Sequence, residues 1–244
     1  MLASVEFPYP SCPLPIPGYD ATAAKNCRYK LNQYRQVSQA SGKRKIMTIS
    51  KTYISADELL SDSFQLGMEI LRSDFRPTHI VGIWRGGAPV GIAVQEILEF
   101  HGVLTDHIAI RTSSYTGIDK QERSVRVFAL GYLIDTLNPD DSLLIVDDVF
   151  DSGRSIEAFI KELDTRCRHN MPHDVRIATV YRKPSRNQTD LKPDFFIHDT
   201  EEWLIFPHEL NGLSKEEISL NKPDAAIIFD DLETTDSNDE GGKS

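Results

Sequence analysis

A short apolar run that ends in two carboxylates and a tight turn of small residues constrains this chain more than any other stretch. Residues 143 to 155 read Leu-Leu-Ile-Val-Asp-Asp-Val-Phe-Asp-Ser-Gly-Arg-Ser. Leu143 to Val146 form a continuous apolar run, as expected of a strand buried on both faces. Asp147 and Asp148 follow at once. The turn Asp151-Ser152-Gly153-Arg154-Ser155 then opens into helical spacing, with Ile156, Phe159, Ile160 and Leu163 on one side. Strand, acids, turn and helix together describe the carboxyl end of a parallel strand, where open α/β sheets place their ligands. Small residues let the backbone amides of the turn and of the helix start converge on a phosphate, and Arg154 can add charge. On this pattern alone, three readings stay open: a phosphate cradle, an ordinary strand-to-helix turn with capping acids, and a metal pocket of paired aspartates.

The rest of the chain supplies units of the same kind. Ser55-Ala56-Asp57-Glu58 is a capping box, followed by Leu60, Phe64, Met68 and Leu71 at helical spacing. Thr78 to Trp84 reads as a buried strand running into Arg85-Gly86-Gly87, with a helix continued by Ile92, Ala93, Ile97 and Phe100. His107 to Thr112 is a further strand. The polar segment Ser113 to Arg123 is long for a connection, a length at which loops are often functional lids. Val125 to Leu130 is its return strand. Val175 to Tyr181 and Pro193 to His198 add two more strands, and Ser214 to Glu217 is a second capping box. The expected fold is α/β, a central, mostly parallel twisted sheet flanked by helices.

The chain has 244 residues, room for one domain of about 150 to 200 residues with extensions. Residues 1 to 45 read as an N-terminal extension: Pro8, Pro10, Pro13, Pro15 and Pro17 favour extended backbone, and from Lys25 to Lys45 every charge is basic. The domain is expected over 46 to 222, and the acidic tail 223 to 244 is expected to be largely disordered. A net charge of −10 argues against diffuse nucleic-acid binding. Cys12, Cys27 and Cys167 give neither a disulfide framework nor a zinc spacing, which fits a reducing, cytoplasmic setting. No apolar run approaches the ~20 residues that span a bilayer, and Met1 to Pro17 lacks a secretory pattern, so no membrane partner is expected.

With these residues in place, the string from Leu143 to Ser155 resembles the phosphoribosyl-diphosphate (PRPP) signature of the type I phosphoribosyltransferases. That signature is an apolar run, two acids, two further residues, an acid, Thr or Ser, Gly, a variable residue, and Thr or Ser. The resemblance implies that Asp151, Ser152, Gly153, Arg154 and Ser155 cradle the 5′-phosphate of PRPP. It gives Asp147 and Asp148 the ribose hydroxyls, directly or through magnesium-bound water. Arg85, Gly86 and Gly87 resemble the family's pyrophosphate loop, in which a peptide bond is often cis; the resemblance points to Arg85–Gly86.

Ser114 and Tyr115 look like the flexible-lid pair of purine phosphoribosyltransferases. The string Tyr181-Arg182-Lys183-Pro184 is similar to one in bacterial xanthine–guanine phosphoribosyltransferases, whose lysine donates to the purine O6. Trp203 to Glu209 resembles the hood over the base, implied here at about 185 to 215. Trp203 and Leu204 would lie against the ring, and Glu209 stands where relatives carry an Asp near a second magnesium. Asp151 is the family's candidate to take the purine ring proton. The family implies Mg²⁺ as cofactor, PRPP and a purine base as partners, and a homo-oligomer, dimer or tetramer. The implied activity is transfer of phosphoribosyl to a 6-oxopurine (hypoxanthine, guanine or xanthine) in purine salvage. A phosphoribosyltransferase for another base, and a non-catalytic PRPP-binding regulator, remain as alternatives. A receiver-like domain using Asp147 and Asp148 has no need of the Asp-Ser-Gly-Arg-Ser turn.

Overall fold

A computed structural model describes residues 51–116, 123–128 and 130–228. The expectations for the Pro-rich and basic extension 1 to 45, and for the acidic stretch from 229 onward, lie outside the described residues. The chain begins with β1 (Lys51–Tyr53), α1 (Ala56–Arg72), β2 (His79–Trp84), α2 (Gly87–Phe100), β3 (Asp106–Thr116) and β4 (Arg123–Phe128). It continues through α3 (Gly131–Thr136), β5 (Ser142–Phe150), α4 (Arg154–Cys167), β6 (Asp174–Arg182), β7 (Phe195–Asp199), β8 (Trp203–Ile205) and α5 (Lys215–Asn221). Among the described residues, no helix is long and apolar enough to cross a membrane.

Six strands form one sheet in the order β4-β3-β2-β5-β6-β7. All neighbours are parallel except β3 and β4. Two apolar layers cover its faces, and the alternation along β5 sorts side chains between them. Leu144 and Val146 join Leu66, Ile70, Val90 and Val94 of α1 and α2 on one face. Leu143 and Ile145 join Ile156, Phe159 and Leu163 of α4 on the other. The expected α/β sheet with helices on both faces is therefore the architecture observed.

Two helices turn differently from the expected stripes. On α1 the buried residues are Leu59, Ser63, Leu66, Gly67 and Ile70, while Leu60 and Phe64 are 47% and 37% exposed. The cause is the approach of α2. A Cβ on Gly67 would lie 3.0 Å from the Ile97 side chain, so small residues face the helix contact. The Ser63 hydroxyl is buried because it donates to the Leu59 carbonyl at 2.6 Å. On α2 the core residues are Val90, Ala93, Val94 and Leu98, whereas Ile92 and Phe100 lie outside. Hydrophobic spacing could not weigh a small residue above a large one.

Both ends of the segment expected as a long polar loop are strand, residues 113–116 in β3 and Arg123 in β4, and residues 117–122 lie outside the described residues. Pairing of β3 with β4 runs out to Thr116↔Arg123 and includes Ser114↔Val125 and Tyr115↔Ser124, so the connection shrinks to residues 117–122. Thr, Ser and Tyr suit an antiparallel hairpin whose backbone groups pair across it.

The hood has a partner that the sequence did not announce. β8 pairs in parallel with β1, with Lys51↔Trp203 and Tyr53↔Ile205 in register, and the Ile54 amide donates to the Ile205 carbonyl at 3.0 Å. The hood bounds of about 185 to 215 therefore omit residues 51–53, whose pairing is non-local and leaves no local signal. The second capping box is complete: the Ser214 hydroxyl accepts from the Glu217 amide, and the Glu217 carboxylate accepts from the Ser214 amide. Past α5, residues 223–228 are helical, and the Lys222 ammonium donates to the carbonyls of Phe206 and Pro207 at 2.6 and 3.1 Å, tying this end to the hood.

Candidate active site

β2 leads through α2 to β3 on one side, and β5 leads through α4 to β6 on the other. The crevice between the carboxyl ends of β2 and β5 is thus the switch point of the sheet, where such folds bind ligands. Two loops meet there. A Cβ on Gly86 would fall on the Asp148 carboxylate, and one on Gly87 would strike the Val146 carbonyl of β5. Only glycines let the two loops approach this closely. The cis peptide bond lies between Trp84 and Arg85, one bond earlier than Arg85–Gly86, the position that the family resemblance indicated.

A cavity of about 340 Å³ opens beside this contact. It is lined by Arg85, Gly86, Asp147, Asp148, Asp151 and Lys183, and on the hood side by Trp203, Leu204, Phe206, His208 and Glu209. Burial, and next the neighbouring Asp148 carboxylate, push the Asp147 carboxyl well above the usual carboxylate range, against backbone amides of Asp148 and Gly87 that pull it down. Thr179, its register partner on β6, is fully buried, and its hydroxyl has no hydrogen-bond partner among the described residues. The Asp148 carboxylate accepts from the Val149 amide at 2.7 Å and lies 3.5 Å from Nε2 of His208. His208 in turn stacks on Phe206, ring centres 5.7 Å apart. Adjacent carboxylates withdrawn from water call for a cation or for hydroxyl donors.

Asp151 meets two cations. Its Oδ1 lies 3.0 Å from Nε of Arg186, and its Oδ2 lies 3.7 Å from Nζ of Lys183. Lys183 is only 5% exposed. A buried ammonium is costly unless a counter-charge or ligand meets it. The Lys183 amide donates to the Phe150 carbonyl at 2.9 Å, so the end of β6 is laced to the end of β5.

Beyond Asp151 the turn runs away from this cavity. Gly153 takes the left-handed conformation with φ 74° and is the N-cap of α4, with no side-chain cap. A Cβ there would run into the Phe150 ring and the Thr189 hydroxyl. The first-turn amides of a helix have no intrahelical acceptor, so the uncapped start of α4 suits an anion. Ser152, Gly153, Arg154 and Ser155 form this turn and helix start and do not line the cavity.

Glu209 lines the cavity, but its Oε2 accepts from the Phe206 amide at 3.1 Å, holding the hood turn. Among the described residues, no group of three or more His, Cys, Asp or Glu side chains is gathered to hold a metal. Asp147, Asp148 and Glu209 are all hard oxygen donors in one cavity. They fit Mg²⁺, which typically takes one or two carboxylates and draws its remaining oxygens from substrate and water.

Most of the expected residues converge here. Trp203 sits half-exposed at the rim, and Leu204 is buried between the cavity and the core. Ser114 and Tyr115 are placed on the β3–β4 hairpin by their backbone alone. Five cavity or site residues carried no assigned role in the sequence: Trp84, Val149, Phe206, His208 and Arg186. His208 lies inside the hood string itself, and Arg186 follows Lys183 by three residues, so proximity to a motif was the available signal.

The description "Phosphoribosyl transferase domain" fits a family model that matches residues 54–211. A hypoxanthine-guanine phosphoribosyltransferase of Lactococcus lactis subsp. lactis (strain IL1403) is 30% identical over 185 residues, 74% of this chain and 91% of that protein. One of the same name from Bacillus subtilis (strain 168) is 26% identical over 182 residues, 74% of this chain and 93% of that protein. The crystal structure of a purine phosphoribosyltransferase from Pyrococcus horikoshii Ot3 is similar, with a TM-score of 0.54 at 25% identity, covering 67% of this chain and 97% of that one.

Proposed function

The chain belongs to the phosphoribosyl transferase domain family, and from that premise we propose that it transfers a 5-phosphoribosyl group from PRPP to a 6-oxopurine. The acceptor is hypoxanthine, guanine or xanthine, and the products are the nucleoside 5′-monophosphate and pyrophosphate, as in purine salvage. One observation carries the reading: a single cavity gathers the Asp147–Asp148 pair, the Arg85–Gly86 bend and the buried Lys183 beneath Trp203 and Leu204.

In this reading the amides from Ser152 to Ser155 hold the 5′-phosphate at the start of α4. Asp147 and Asp148 accept from the ribose hydroxyls. Arg85, with the backbone of Gly86 and Gly87, lies along the diphosphate. Mg²⁺, when bound, neutralises the leaving diphosphate, with Asp147, Asp148 and Glu209 as the protein oxygens on offer. Charge at the anomeric carbon becomes positive as the bond breaks, and the two aspartates make its surroundings anionic. Lys183 donates to the exocyclic oxygen of the base, and Asp151 accepts the ring proton as the nitrogen attacks. Trp203 and Leu204 flank the ring. Ser114 and Tyr115, on their hairpin, close over the sugar and keep water from competing. We place the enzyme in the cytoplasm as a homo-oligomer.

The test is to incubate the protein with PRPP, Mg²⁺ and a panel of bases and to score pyrophosphate. Release with at least one 6-oxopurine is expected. Release with pyrimidines alone would move the activity to another base, and PRPP binding without release from any base would make the chain a PRPP-binding regulator.

A further inference from the structure

The geometry points to Arg186 as a positioning residue that holds Asp151 in place so that Lys183 can leave it for the acceptor. This inference rests on the function proposed above, which it deepens at the base-binding end. The two cations on Asp151 are not equivalent. Nε of Arg186 is at 3.0 Å from Oδ1, whereas Nζ of Lys183 is at 3.7 Å from Oδ2, beyond hydrogen-bond reach. Arg186 makes the contact, and Lys183 keeps its donors for a ligand.

The turn bearing Arg186 is pinned on several sides. The Lys183 amide donates to Phe150, the Arg186 amide donates to Lys183 at 3.1 Å, and the Gln188 amide donates to Ser152 at 3.1 Å. Both the amide and the hydroxyl of Ser185 are held by Glu201. Those bonds, in that order hydroxyl then amide, keep the Glu201 carboxyl below its usual range. A guanidinium is never deprotonated in a protein and has a fixed fork of donors. Fixed on such a turn, it orients one carboxylate better than a flexible ammonium.

The consequence concerns charge balance. When Lys183 turns to the oxygen of the base, Asp151 loses one of its two cations. Without Arg186 the carboxylate would retain Lys183, and the acceptor would have to compete for it. With Arg186 in place the exchange leaves Asp151 paired and correctly aimed at the ring N–H. Arg186 thereby favours acceptors that present an oxygen beside an N–H.

Arg186→Gln and Arg186→Lys test this. The Arg186 side chain is 46% exposed, so thermal melting of both variants should match the parent. In Arg186→Gln the acceptor KM should rise and kcat should fall, kcat/KM dropping by about fivefold, the scale of a part-exposed ion pair. The KM for PRPP should stay within about twofold. Arg186→Lys should recover part of the loss. Calorimetric binding of IMP gives a readout without turnover, and Arg186→Gln should weaken it by a similar factor. Acceptor KM, kcat and IMP affinity all unchanged would overturn the assignment, and so would acceptor and PRPP KM rising together, which would mark a distorted loop. Absence of turnover in the parent would defeat the function proposed above, whereas a parent that turns over with an indifferent Arg186 variant defeats only this inference.

Discussion

The Asp148 carboxylate occupies the space that a Cβ on Gly86 would need. This contact joins the loop after β2 to the loop after β5 at the switch point. In Gly86→Ala the Asp148 side chain must rotate away, and with it any hydroxyl or ion it holds. The expected cost is about 1–3 kcal/mol of stability, as for other overpacked sites, with PRPP affinity reduced by more than about tenfold through one lost charged contact. A PRPP titration with Mg²⁺ beside a denaturant melt measures both. PRPP affinity equal to the parent's would remove Asp148 from the binding site.

Gly87→Ala should behave differently. There the added Cβ meets the Val146 carbonyl and lies 3.0 Å from the Asp147 Cα. Both belong to the backbone of β5, which cannot rotate out of the way. The loss of stability should exceed that of Gly86→Ala and approach the upper end of overpacking costs, about 3 kcal/mol. A denaturant midpoint above that of Gly86→Ala would contradict the close approach of α2 to the sheet.

The raised carboxyl of Asp147 carries a pH signature. Its folded pKa lies above its unfolded one because burial, then the Asp148 charge, disfavour ionisation. Between the ordinary Asp value of about 4 and the raised folded value, the folded chain therefore binds more protons than the unfolded chain. Stability without ligand must fall as pH rises through that window. Asp147→Asn removes the titrating group, so its advantage over the parent should be absent at the acidic end and grow toward neutral pH, while PRPP binding with Mg²⁺ is lost. Parallel stability–pH curves for the two proteins would show that Asp147 is not withdrawn from water.

What could be read from the sequence was whatever had a local cause. The strand-acid-turn-helix string predicted β5, α4 and the position of Asp147, Asp148 and Asp151, since each depends on neighbours within a few residues. Ser55 and Ser214 announced their helices because a cap is made within one turn. The failures share a different origin. Ser63 and Gly67 entered the core because α2 comes to them, and β1 became part of the hood because Trp203, far along the chain, pairs with Lys51. Arg186 stayed unassigned because its partner Asp151 is brought beside it only by the parallel pairing of β5 with β6. Glu209 was legible as an acid at the position where relatives hold a second magnesium, but not as the carboxylate that fastens the Phe206 amide.

Lys183 offers the plainest test of base recognition. Its ammonium is 5% exposed and beyond hydrogen-bond distance of Asp151. Lys183→Met keeps the apolar stem and removes the donor. Turnover of 6-oxopurines, as kcat/KM, should fall roughly 10- to 150-fold, the size of a hydrogen bond from a charged group at 1.5–3 kcal/mol. The KM for PRPP should not move. An equal loss for a 6-amino base, if any is accepted, would place Lys183 elsewhere than at the exocyclic oxygen.

Asp151→Asn separates proton transfer from charge balance. The amide keeps the shape of the side chain and leaves an oxygen facing Arg186, but it cannot take a proton from the purine ring. Turnover at saturating PRPP should fall by about 10²- to 10⁴-fold, the usual contribution of a general base. PRPP binding should remain within about an order of magnitude, because the turn at Gly153 and the carboxylates of Asp147 and Asp148, the groups proposed to hold PRPP, are untouched. Removing the negative charge also leaves Lys183 and Arg186 facing each other across a neutral group, which should make the site more receptive to anions. Affinity for inorganic pyrophosphate, measured by calorimetry, should therefore rise in the variant while turnover collapses. Full turnover in Asp151→Asn would take the proton away from this residue and leave Arg186 with nothing catalytic to position.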